Sequence, residues 1–354
     1  MPKKPIATVQ TTPITRLVDQ AFRANSAHGF IYLNNQKVGC STIKGSLWKV
    51  IDGIGPTREK GGVHNLESSP FNNRPREPEA ARTAYVFTFV RNPFQRLVSA
   101  YLNKIVTQED STWSDFATRF NVPTDQTISF DGFVELLSGI PPEAFDPHWR
   151  RQQMNTLYPF VKPNLTGDLE QLNQLLPKVL TRVFGRPMSE SDLLQGRRHR
   201  TKARVVWRDY LKDNSTLRRF LDIYNEDFAA FGYVPDLSAE PASQTLPKES
   251  EHAHDGLAML VRYWAAPKAE KLGLLSGVAA ADPDGVLSDW ILSQRLIRLQ
   301  KNPERLATVL NRQSTRIAQG PAYLRRIADE VKQKADGRAG PGRVFDEDQD
   351  IQAS

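Results

Sequence analysis

Two cations stand where anion chemistry would need them. Lys37 lies in Phe30-Ile-Tyr-Leu-Asn-Asn-Gln-Lys-Val-Gly-Cys-Ser-Thr42, and Arg91 in Tyr85-Val-Phe-Thr-Phe-Val-Arg-Asn-Pro-Phe-Gln-Arg-Leu-Val-Ser-Ala-Tyr101, about fifty residues further on. Each follows a short apolar, β-prone run of the kind a buried parallel strand needs. Each is followed by residues at helical spacing: Ile43, Leu47, Trp48 and Ile51 in the first segment, and Leu97, Val98 and Tyr101 in the second. Strand, polar loop, helix is thus predicted twice. A helix N-terminus offers unpaired N–H groups and the positive end of its dipole, so an anion is stabilised there. Two such sites at the ends of neighbouring strands match a nucleotide with two separated phosphate groups.

In the first loop, Val38, Gly39, Cys40, Ser41 and Thr42 would let backbone N–H groups approach the anion. Ser41 and Thr42 add hydroxyl donors, and Lys37 adds a mobile charge. The loop is not GxxxxGK[ST], because Lys37 precedes Gly39 by two residues. That displacement disfavours a P-loop NTPase, although the mechanics of the turn are the same. In the second segment Arg91 sits at the carboxyl end of its strand, where open α/β sheets place ligands. Pro93 suits a first helical turn. Ser99 lies eight positions after Arg91, two turns into the helix, so the two can converge on a second phosphate through a bidentate guanidinium.

Lys37-Val-Gly-Cys-Ser-Thr42 resembles the 5′-phosphosulfate loop of sulfotransferases, and Phe89 to Tyr101 resembles their 3′-phosphate motif. The wording is most similar to the carbohydrate sulfotransferases that include the chondroitin and HNK-1 enzymes. Asp146-Pro-His-Trp149 with Gln152, Asn164 to Glu170, and Tyr224 to Tyr233 resemble later segments of that family, in order. The resemblance covers roughly residues 25 to 236. Gln36 stands where relatives commonly carry proline. The chain has one cysteine, so the disulfides of secreted relatives are absent.

The resemblance implies 3′-phosphoadenosine 5′-phosphosulfate (PAPS) as donor, with no metal, and a hydroxyl acceptor, most plausibly a carbohydrate. Lys37 would stabilise charge on the bridging oxygen. Ser41 and Thr42, with the backbone of Val38, Gly39 and Cys40, would hold the 5′-phosphate. Arg91 and Ser99 would hold the 3′-phosphate. A histidine suits the general base; His64, between the two motifs, and His148, beside Trp149, are the candidates. Cys40 reads as a small loop residue. In the basic run Arg197 to Arg204, Arg200 and Lys202 are candidate further nucleotide contacts, with a solvated loop as the ordinary alternative.

A chain of 354 residues allows one large domain and an appendage. Net charge of +7 favours anionic ligands: PAPS and acidic glycans fit, and nucleic acid would too. Two rival readings are a nucleotide-dependent phosphotransferase and a non-catalytic nucleic-acid-binding or scaffold protein. Nucleic acid is not the expected partner. Met1-Pro-Lys-Lys-Pro5 is not followed by a signal-type apolar core, and no run reaches about 18 apolar residues. A cytoplasmic protein is therefore expected, in contrast to the Golgi membrane enzymes of animals that the resemblance includes.

The expected architecture is α/β: a P-loop-like, mainly parallel sheet flanked by helices, with an all-helical C-terminal extension. Residues 1–24 read as a lead with a short helix over Ile14 to Arg23, and residues 25–236 as the PAPS-binding domain. Residues 55–82 form a long loop over the site, and Asp236 to Pro247 a polar linker. Residues 248–334 read as helical, with an oligomer contact as one use of their apolar stripes, and residues 335–354 as a disordered tail.

Overall fold

The computed structural model describes residues 20–57, 62–63, 69–73, 77–108, 111–140, 142, 145–158, 161–194, 202–251 and 254–265, and helical positions between 292 and 332. The chain divides into two compact units, residues 1–281 and 282–354.

The first unit is built on a six-stranded sheet: β1 (Phe22–Asn25), β2 (Phe30–Leu33), β3 (Asn72–Asn73), β4 (Tyr85–Val90), β5 (Leu165–Asp168) and β6 (Lys248–Glu249), in the order β3-β1-β2-β4-β5-β6. β2, β4 and β5 are mutually parallel and form the centre, while β1 and β6 run antiparallel to their inner neighbours. The helices described in chain order are α1 (Cys40–Asp52), α2 (Pro78–Thr83), α3 (Pro93–Ala100), α4 (Ser111–Phe120), α5 (Phe130–Ser138), α6 (Gln152–Thr156), α7 (Leu172–Phe184), α8 (Ala203–Val206), α9 (Asn214–Phe231), α10 (Asp255–Ala265), α11 (Pro303–Arg312) and α12 (Ser314–Gln319). The last two belong to the second unit.

The parallel pairing explains the composition of the central strands. Buried on both faces, they carry no alternation: every residue of β2 is buried, as are five of the six in β4. Phe30, Tyr32, Phe87 and Phe89 pack with Ile43, Leu47 and Trp48 of α1 and with Leu175, Leu176 and Val179 of α7. Gly167 in β5 leaves room for this layer, since a Cβ there would stand 2.6 Å from Phe89 Cε1. A second aromatic cluster sets Phe94 of α3 against Trp207, Phe220 and Phe228, with ring centroids 4.8–5.4 Å apart.

Phe22 and Arg23 depart from the helix expected over Ile14 to Arg23; the residues before 20 lie outside those described. Phe22–Asn25 is a strand, because Gly29 (φ 62°) turns the chain tightly enough for it to pair with β2. The stretch after Pro235 is more than a linker. Ser243 N–H donates to Asp168 Oδ2 at 2.9 Å, Gln244 N–H donates to the Gly232 carbonyl at 2.8 Å, and β6 then adds to β5. α10 lies in the first unit and is tied to α2 by the Arg82–Asp255 ion pair at 2.9 Å. In the second unit Leu292, Leu296, Leu306, Val309, Ala328 and Val331 form an apolar cluster.

Candidate functional site

β2 and β4 are adjacent and parallel, so the loops leaving their carboxyl ends emerge side by side. The first loop carries Lys37 in the left-handed region (φ 67°) and Gly39 likewise (φ 76°). For a lysine this backbone is strained, and such strain gathers at functional sites. Gly39 is the N-cap of α1 and, being glycine, offers no side-chain capping bond there. A Cβ on Gly39 would meet Leu172 Cδ2 at 3.0 Å and Leu169 Cδ1 at 3.1 Å. Val38 is fully buried and anchors the loop, while Cys40, Ser41 and Thr42, the first turn of α1, are half-buried.

Lys37 Nζ donates to Asn103 Oδ1 at 2.5 Å. Asn103 lies in a π-helical turn, Tyr101–Ile105, that continues α3, and such turns often mark functional positions. Burial pushes the Lys37 ammonium down to about 8, and the nearby charges of Lys104, Arg91 and Arg96 add to the drop.

Arg91 is buried. Its guanidinium makes only long contacts, two to Gln95 Oε1 at 3.4 Å and one to the Lys37 carbonyl at 3.5 Å. Burial pushes it down to about 10, with Glu170 attracting in the opposite sense. Among the described residues no carboxylate lies within ion-pair distance of Lys37 or Arg91. Among the described residues, Gln95 Nε2 and Gln36 Oε1 are buried there without partners. Ser99 is buried on α3, whose start is capped by Asn92 Oδ1 accepting from Phe94 N–H at 3.0 Å.

Three residues bind these loops into one body. The fully buried Gln152 amide pairs with Arg91 as a strand would: its Oε1 accepts Arg91 N–H at 2.9 Å and its Nε2 donates to the Arg91 carbonyl at 2.8 Å. The same Oε1 accepts from Asn35 Nδ2 at 3.1 Å. Asp227, fully buried on α9, accepts Gln152 N–H at 2.8 Å and Gln153 N–H at 3.0 Å at the start of α6. Burial pushes the Asp227 carboxyl up, against the pull of these two N–H groups and of Arg96 and Arg151.

Arg96 is the third clamp. Its Nε donates to the Gln36 carbonyl at 2.9 Å, Nη2 to the Pro147 carbonyl at 3.0 Å and Nη1 to the Arg150 carbonyl at 2.7 Å. One guanidinium therefore holds the residue before Lys37 beside the residue before His148. His148 is half-buried, and its Nδ1 lies 2.6 Å from Asp146 Oδ1. Trp149 is buried edge-on against Phe116 and Phe133.

Lys37, Val38, Gly39, Cys40, Ser41, Thr42, Arg91 and Ser99 thus lie on two adjoining loops and the helices that follow them, with His148 brought beside the first loop. His64 and Arg200 lie outside the described residues. Lys202 is exposed at the N-cap of α8. From the same basic run it is Arg204 that makes the described ion pair, to Glu170 at 2.8 Å. Asn35, Arg96, Asn103 and Asp227 were not singled out by their sequence context; Asp146 and Gln152 were marked only by the resemblance. Among the described residues no group of three or more His, Cys, Asp and Glu side chains could hold a metal ion. None of the described helices is long and apolar enough to cross a membrane.

The sequence model of the sulfotransferase family matches residues 20–234. Among curated proteins, the chain is 28% identical over 177 residues to carbohydrate sulfotransferase 11 of Rattus norvegicus and of Mus musculus. The match covers 42% of this chain and 48% of each relative, so it spans about half the length of the proteins it resembles. No solved structure matches.

Proposed function

The chain belongs to the sulfotransferase family, and from that premise we propose that it transfers a sulfuryl group from PAPS to a hydroxyl of a carbohydrate. The observation that carries the reading is the pair of cations, Lys37 and Arg91, that converge without a carboxylate partner among the described residues. Burial weakens both charges. An anionic ligand would restore them, and two phosphate-bearing positions would satisfy both at once. The uncapped start of α1 and the unpartnered Gln36 and Gln95 atoms support the same fit. The carbohydrate acceptor rests on the names of the two curated relatives.

The roles follow from position. Val38, Gly39, Cys40, Ser41 and Thr42 hold the 5′-phosphate at the start of α1, in the manner of a P-loop without its lysine placement. Arg91 and Ser99 hold the 3′-phosphate. Arg200 and Lys202 are proposed as further nucleotide contacts, and His148 or His64 as the base. The acceptor oxygen attacks sulfur as a base takes its proton. The bond from sulfur to the bridging oxygen breaks, and its electron pair leaves on the 5′-phosphate, where Lys37 stabilises it. A sulfate ester and 3′-phosphoadenosine 5′-phosphate are the products. No side chain is consumed, and the proton leaves from the base to solvent. The proposed catalytic region is 25–236, completed by β6 and α10 from the 248–334 stretch, with the helices after residue 281 as a separate element.

The test is transfer of radiolabelled sulfate from PAPS to a panel of glycans and simple alcohols. Label on an acceptor with wild-type protein, absent with Lys37→Ala, is the expected result. Label on nothing, by a protein that also fails to hydrolyse PAPS, would overturn the reading.

A further inference from the structure

The turn that carries His148 is more tightly fixed than a surface histidine requires. Asp146 Oδ1 accepts two bonds from the same residue: His148 N–H at 2.8 Å and the ring at Nδ1, 2.6 Å. The Asp146 carbonyl accepts Trp149 N–H at 3.1 Å and Arg150 N–H at 2.8 Å. From outside, Arg96 holds the Pro147 and Arg150 carbonyls, Asn155 Nδ2 donates to the Pro147 carbonyl at 2.8 Å, and Tyr224 Oη donates to the Trp149 carbonyl at 2.6 Å. Every carbonyl from Asp146 to Arg150 except that of His148 itself therefore has a described partner.

We propose that Asp146 is a positioning residue for the sulfuryl-transfer reaction, holding the His148 ring with its proton on Nδ1 so that Nε2 faces the acceptor hydroxyl as the base. This rests on the function proposed above and chooses His148 over His64. An ionised carboxylate can only accept, so a neutral ring bonded to it carries its proton on Nδ1 and its lone pair on Nε2. Burial alone would raise the Asp146 carboxyl, but the side-chain bond from His148, its charge, its backbone N–H and the charge of Arg150 together hold it below the usual carboxylate range. The charged groups that face this pair are Arg150 on its own turn and Arg96 from α3. Among the described residues no group hydrogen-bonds His148 Nε2, and the side chain is 25% exposed.

In the step this serves, the acceptor O–H proton passes to Nε2 as oxygen bonds to sulfur. The His148 imidazolium that forms is stabilised by the Asp146 carboxylate, and the bridging S–O bond breaks toward Lys37. Two unlike observables test it on the full chain. Nitrogen-15 NMR of histidine-labelled protein, with the signal assigned by loss in His148→Gln, should show neutral His148 protonated on Nδ1. A ring protonated on Nε2 would overturn the proposal. Asp146→Asn lets the amide turn its NH2 toward Nδ1, and Asp146→Ala removes the bond, so both should abolish that tautomer preference. Both should lower kcat at least about tenfold, a fraction of what a positioned base contributes, with the affinity for 3′-phosphoadenosine 5′-phosphate unchanged. Variants that keep wild-type kcat while His148→Gln loses it would overturn the role of Asp146 and leave the function standing. A His148→Gln protein with full turnover would remove both residues from the chemistry. Wild-type protein that binds no 3′-phosphorylated nucleotide would sink the function, whatever the tautomer.

Discussion

At the scale of single residues, Lys37 and Arg91 should fail in different ways. In the proposed reaction Lys37 touches the atom where charge develops, so Lys37→Ala is expected to lose turnover more than nucleotide affinity. In the same proposal Arg91 holds a phosphate that does not react, so Arg91→Ala is expected to lose nucleotide affinity first, by roughly 2–5 kcal/mol for a buried charge pair. Steady-state kinetics and calorimetry on both variants check this, and equal small effects would refute the assignment. A pH dependence follows as well. In the free protein Lys37 gives up its proton near pH 8, below the ordinary 10.5 of a lysine. A bound phosphate favours the ammonium and raises that value, so binding takes up a proton above about pH 8. Affinity for 3′-phosphoadenosine 5′-phosphate should therefore fall as pH rises past 8, with a buffer-dependent heat. Lys37→Ala should lose that dependence. Lys44 of α1 is also pushed down to about 8 by burial, so its titration is the background that Lys37→Ala leaves.

Among elements, the two loops proposed to bind phosphate depend on α6 and α3 holding them. Gln152→Leu would leave Arg91 N–H, the Arg91 carbonyl and Asn35 Nδ2 without their present partner in a dry interior. Each unsatisfied group costs about 1–3 kcal/mol, so denaturant unfolding should show a loss of several kcal/mol. Gln152→Glu, which keeps the acceptor for Arg91 N–H and Asn35, should lose less. What could be read in the sequence follows the same division. β2, β4 and the helices after them were legible because apolar runs, small residues, Pro93 and helical spacing are local signals. The clamps were not. Arg96 sits in an amphipathic helix pattern where an arginine reads as solvent-facing, and its three acceptors are carbonyls more than fifty residues away. Asp227 likewise reads as the polar side of α9, yet it is fully buried at the start of α6. β1 was misread because four residues of strand carry less periodic signal than the helical spacing before them, and its pairing with β2 decided the matter.

For the whole molecule, the division after Ala281 makes a prediction about where the chain can be cut. A protein ending at Ala281 retains β6, α10 and the Ser243–Asp168 bond, and should unfold cooperatively and bind nucleotide as the full chain does. A protein ending at Asp236 loses all three, together with the 2.7 Å contact of His254 Nε2 with Asn164 Oδ1. It should melt at a lower temperature, as thermal unfolding of the two truncations would show. The functional core thus extends further in sequence than the family match, because the edge of the sheet is finished by residues beyond it.

The central claim is that two loops form one site for a nucleotide phosphorylated at both the 3′ and 5′ positions. Calorimetric titration with 3′-phosphoadenosine 5′-phosphate, against AMP as control, tests it most directly. The account predicts clear preference for the 3′-phosphorylated nucleotide in the wild-type protein and loss of that preference in Arg91→Ala. No binding, or equal weak binding of both nucleotides, would contradict it.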